Sequence, residues 1–146
     1  MFRKITKERV ITSDNKYPSR ARSTELTEEV IINIENTCLV LNNFFEELNE
    51  ICLNEEREVL SLKISSGFRP SFVNSNIINA SKRSGHLTGI AVDFKDSNHK
   101  LYDVIFKYNF LLKKYNLFLE DKNSTKFWVH LDLKQRSKRE INIFIP

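Results

Sequence analysis

The chain has 146 residues, enough for one domain with its own core and no need of metal or disulfide staples. Hydrophobic residues at 40% and charged residues at 29% are ordinary for a soluble globular protein, and no segment approaches the ~20 consecutive apolar residues that cross a bilayer. With 23 Lys and Arg against 19 Asp and Glu, the net charge is +4, an excess too mild to select a partner class.

Residues 1–22 contain no apolar run of the signal-peptide kind and read as an irregular lead-in. They predict a protein made in the cytoplasm without a signal peptide. Thr27 before Glu28 and Glu29 marks a helix start, since a hydroxyl and carboxylates suit free amide groups there. Val30, Ile34, Cys38, Leu41, Phe45, Leu48 and Cys52 follow at three- and four-residue spacing, predicting a core-facing helix of about 25 residues. Cys38 and Cys52, some 21 Å apart along its axis at ~1.5 Å per residue, are expected as buried free thiols. Leu60, Leu62 and Ile64 alternate as in a strand that ends at Gly67-Phe68-Arg69-Pro70. Residues 71–85 read as a polar loop or short helix, and "GIAVDFK" as a second strand. Leu101, Val104, Ile105, Tyr108, Leu111 and Leu112 predict a second amphipathic helix, with His99 exposed at its start. "LFLE" at 117–120 and "FWVHLDL" at 127–133 are strands joined by a polar turn; residues 134–146 form a tail or, through "INIFI", an edge strand. This order predicts a single α+β domain over 1–146, with helices packed on one face of an antiparallel sheet.

The glycines are the odd feature. There are three, Gly67, Gly85 and Gly89, all within 23 positions, and two bracket His86 in "SGHLTGIAVDF", Ser84–Phe94. Such sparing use places glycine where the backbone requires it. Side chains alternate faces along a strand, so Trp128, His130 and Asp132 share one face, and Asp93 points away from the apolar row Ile90, Val92 and Phe94. Two histidines and one aspartate suit a zinc ion with a fourth position left open, as catalytic sites require. On spacing alone, histidines satisfied by ordinary core or surface contacts remain the alternative.

"SGHLTGIAVDF" fits the pattern SxHxxGxAxD, "FWVHLDL" supplies a later WxH strand, and "ISSGFRP" precedes both. Together, over roughly residues 26–133, these resemble the zinc peptidases that include D-alanyl-D-alanine carboxypeptidases and L-alanyl-D-glutamate endopeptidases, whose fold the Hedgehog amino-terminal domain shares. The resemblance implies His86, Asp93 and His130 as zinc ligands. It also implies Arg69, Ser84 and Trp128 on the substrate side, with Arg69 holding a carboxylate of the peptidoglycan stem peptide through its planar fork.

The match loosens at the general base. Many relatives carry Glu or Asp three positions before the last histidine, where this chain has Phe127. Glu120, Asp121 and Asp132 are the substitutes, with Glu120 or Asp121 favoured and Asp132 expected to fix ligand geometry or to bind a nearby Arg or Lys. The expectation is a zinc-dependent cell-wall peptidase of the endolysin kind, phage- or prophage-encoded and acting at the bacterial wall without inserting in a membrane. Phe127 motivates the alternative, a catalytically impaired zinc-binding virion or wall-binding module. The basic run "KQRSKR", 134–139, reads as a solvated tail. It lacks interleaved aromatic residues, so nucleic acid is not the expected partner.

Overall fold

The computed structural model describes residues 2–146. Six short or long α-helices and five strands follow one another as α1 (Lys7–Thr12), α2 (Glu28–Asn54), β1 (Ile64–Ser66), α3 (Ser71–Ser75), α4 (Gly85–Thr88), β2 (Ala91–Lys95), α5 (Lys100–Lys107), α6 (Phe110–Lys114), β3 (Phe118–Glu120), β4 (Trp128–Asp132) and β5 (Ile143–Phe144). The strands form one mixed sheet in the order β1-β2-β4-β3-β5. All pairs are antiparallel except β3 with β5, which is parallel and corrects the expectation of a purely antiparallel sheet.

Helix α2 organises the interior. The Thr27 hydroxyl accepts from the Val30 amide and starts it, and its apolar stripe buries Ile34, Leu41, Phe44, Phe45 and Leu48 completely. Across from it stand Val92, Phe94, Val129 and Leu131, also fully buried, with the rings of Phe45 and Phe94 edge to face at 5.2 Å. Burying a side chain of this size is worth roughly 1.5–3 kcal/mol, so this seam fixes which face of β2 and β4 looks inward. Cys38 and Cys52 are buried free thiols on α2, and burial pushes the Cys38 pKa up to about 12.

Three expectations need correction. The lead-in is not irregular: α1 and a 3-10 turn over Pro18–Arg22 occupy it, and Arg9 and Arg20 are buried there. Arg9 is tied to both Asp14 oxygens and to the Lys4 and Leu62 carbonyls, so its charge is fully partnered. The second amphipathic segment is two helices, because the Asn109 side chain bonds back to the Phe106 carbonyl and competes with the helical ladder. His99 is half-buried rather than exposed; it adopts φ 60° at the start of α5, where the Asp96 carboxylate caps the Leu101 and Tyr102 amides.

Among the described residues, no helix is long and apolar enough to cross a membrane.

Candidate metal centre

The sheet face away from α2 carries the polar constellation. β2 and β4 pair so that Asp93 lies directly opposite His130, with Ala91 opposite Asp132 and Lys95 opposite Trp128. His86 reaches the same place from α4. Its helix starts at Ser84, whose hydroxyl accepts from the His86 amide at 3.2 Å, and stops at Gly89 with φ 82°. A side chain at Gly89 would be strained at that φ and would meet Ile34 of α2 at 2.5 Å, so only glycine lets α4 turn into β2 against the long helix. Thr37 of α2 holds the turn by donating to the Gly89 carbonyl at 2.9 Å.

Each imidazole is oriented by its second nitrogen. The Gly67 carbonyl can only accept, so His86 Nδ1–H donates to it at 2.7 Å, leaving Nε2 3.2 Å from Asp93 Oδ2. Gly67 gets that close because it has no side chain: a Cβ there would sit 2.1 Å from the Val10 carbonyl oxygen of α1. His130 Nδ1 lies 2.7 Å from Asp93 Oδ1, and its Nε2 lies 2.8 Å from Asp132 Oδ2. One ligand atom each from His86, Asp93 and His130 falls within 4.8 Å of the others, and all three residues are buried. Donors bonded at 2.0–2.1 Å to one tetrahedral ion stand about 3.3 Å apart, so this set fits a metal ion with small adjustments.

The electrostatics agree with that use. Burial works to raise the Asp93 carboxyl, but the two histidines overrule it and hold it well below the ordinary carboxylate range. Burial likewise opposes charge on His130, yet its bonds to Asp132 and Asp93 raise its pKa to about 10. His86 goes the other way: burial dominates and lowers it. In the metal-free chain the trio therefore holds a proton at His130 that a cation would displace.

The three acidic candidates separate clearly. Glu120 lines the cavity over the trio, 16% exposed, with Oε2 3.9 Å from His130 Nδ1. Burial and the like charges of Asp93 and Asp132 raise its pKa against the pull of His130. Asp121 does not line that cavity; its side chain accepts from the Asn123 amide and shapes the turn. Asp132 lines the cavity too, but His130 and a forked Arg136 (2.6 and 3.0 Å) occupy its oxygens, the supporting place expected of it. Phe127 is 63% exposed and outside this cavity.

Arg136 went unread in the sequence, where "KQRSKR" looked like a solvated run. Its guanidinium lies 3.5 Å from the Phe144 ring centre and 5.1 Å from that of Phe118, joining the β5 and β3 strands to Asp132, the partner of His130. A cation four positions beyond Asp132 was the available signal. The surrounding cavity holds about 600 Å³ and includes Arg69, Arg83, Trp128, Lys134, Arg136 and Phe144 in its wall. Arg69 donates from Nη2 to the Ser84 hydroxyl at 3.2 Å, while its Nε is buried without a partner. Ser84 thus links the arginine to the helix that carries His86.

No family model, curated protein or solved structure matches this chain. The geometry carries the reading.

Proposed function

We propose that the chain is a zinc-dependent peptidase that hydrolyses a peptide bond in the peptidoglycan stem peptide, with the D-alanyl-D-alanine carboxypeptidase and Hedgehog type of fold that its motifs resemble. The observation that supports it most is the meeting of His86 Nε2, an Asp93 oxygen and His130 Nδ1 beneath an open cavity that also contains Glu120. A zinc ion held there would supply Lewis acidity toward a carbonyl and a water whose pKa falls to ~7. Glu120 Oε2 takes the proton of the attacking water and returns it to the departing amine nitrogen. A carboxyl raised by burial is better matched to that exchange near neutral pH than an ordinary one. Arg69, already half-fixed by Ser84, meets a stem-peptide carboxylate, and Arg83 and Lys134 extend the positive rim. Asp132 and Arg136 keep the His130 ring in place.

Zymography on purified peptidoglycan, with chelator and with zinc restored, tests the reading. Clearing should vanish with chelator and return with zinc. Glu120→Gln should keep about one zinc per chain and lose roughly 10²–10⁴-fold in rate, whereas Asp121→Asn should stay near the parent. Phe127, standing where many relatives carry the acidic base, favours a second reading, a zinc-binding virion or wall-binding module without turnover. Bound zinc with no clearing by the unaltered chain would select it.

A further inference from the structure

The two strands that carry metal donors lead to a second, differently charged basin. Lys95 and Trp128 are cross-strand partners two positions beyond Asp93 and His130, so Lys95 shares the donor face about 7 Å further along. Next to it lies a cavity of about 750 Å³ whose wall includes Arg3, Lys16, Lys63, Lys95 and Phe127. Among the described residues, none of these four cations stands within ion-pair distance of a carboxylate. Asp14 is the only acid in the wall, and Arg9 and the Ile64 amide already hold it. Lys16 also rests over the Tyr17 ring at 5.2 Å. Four positive charges around one space repel one another and are stabilised by an anion placed among them.

The composition of the wall indicates which anion. Three of the four cations are lysines, compact point charges of the kind that bind phosphate, and the arginine can fork onto phosphate oxygens as well. Single-stranded nucleic acid would call for successive aromatic platforms, and this wall has Phe127 alone. The basin is a separate cavity from the cleft over the donors, linked to it through the cross-strand neighbours Lys95 and Trp128, each in the wall of one.

We propose that this basin binds the phosphodiester groups of an anionic cell-wall polymer, holding the chain against the wall while a neighbouring stem peptide occupies the metal centre. The identity of the polymer rests on the peptidoglycan reading above; the binding itself does not need turnover.

The test co-sediments the full chain, and a Lys16→Glu, Lys63→Glu variant, with sacculi that retain their phosphodiester polymer and with sacculi stripped of it. Both positions lie outside the metal centre. The unaltered chain should bind polymer-bearing sacculi with an affinity that falls steeply with salt. The variant, or stripping, should weaken binding roughly tenfold or more, with zinc content unchanged. Equal binding to both kinds of sacculi, or by both proteins, overturns the proposal. So does equally tight binding to single-stranded DNA at the same ionic strength. Peptide release is scored in the same samples, which separates the two ideas: the expected binding pattern without hydrolysis defeats the peptidase reading alone, and hydrolysis with the wrong pattern defeats this one alone.

Discussion

Between Asp93 and Asp132 the His130 ring holds its proton up to about 10, against an ordinary 6.5. A folded-state pKa above the unfolded one adds stability that is complete below 6.5 and lost as pH rises through the folded value. The metal-free chain should therefore melt at progressively lower temperature from pH 6.5 to about 10. His130→Gln should remove most of that decline, and saturating zinc should flatten it, because the ring no longer carries the proton; thermal scans across the pH series check both. Arg136 acts on the same ring through Asp132. Arg136→Leu should weaken zinc binding by roughly 10–100-fold in a competition titration, with Arg136→Lys recovering part of it through the charge alone. The meeting of Asp93 and His130 was legible, since a short motif and strand alternation put both on the face away from the apolar rows. Arg136 was not, because nothing local tells a guanidinium held between two rings and a carboxylate from one in water.

Helix α1 and the turn after it brace the loop that orients His86. The Phe68 amide donates to the Val10 carbonyl, the Gly67 amide to the Ser13 hydroxyl, and Arg20 to the Phe68 carbonyl. Adding one methyl at Gly67 forces apart two backbones rather than flexible side chains. Gly67→Ala should cost more than ~2 kcal/mol in urea denaturation and should weaken zinc binding too, since the carbonyl that fixes His86 moves with it. The same substitution at Gly85, where a Cβ would meet the Ala91 and Ile90 side chains at 3.1 Å, should cost less. Regular α2 could be read from its period, whereas α1 is six residues long and its work is done by long-range polar bonds that leave no periodic trace. For the same reason the strand expected from Leu60 onward shrinks to β1, although Leu62 and Ile64 do face the core.

Taken together, the sheet separates two tasks: one face buries an aliphatic and aromatic core against α2, and the other holds charges that would be costly inside it. A bound ion would offset that cost directly. At a thousandfold excess over its dissociation constant, zinc should add about 4 kcal/mol, raising the melting temperature by roughly 10 °C for a domain of this size. His86→Ala should show no such rise in parallel calorimetry. Helix and strand order foretold a mixed α and β domain, but not the parallel seating of β5 beside β3, because that seating depends on contacts such as those of Arg136 with the Phe118 and Phe144 rings, which no periodicity announces.

That seating has a practical corollary. Ile145 and Pro146 stand in the wall of the cavity over His86, Asp93 and His130, and Ile145 is 79% exposed. An affinity handle joined after Pro146 would emerge at the mouth of that cavity. It would change what can reach the cavity without altering any residue of the trio, so zinc-binding and zymography assays should compare the chain with and without such a handle.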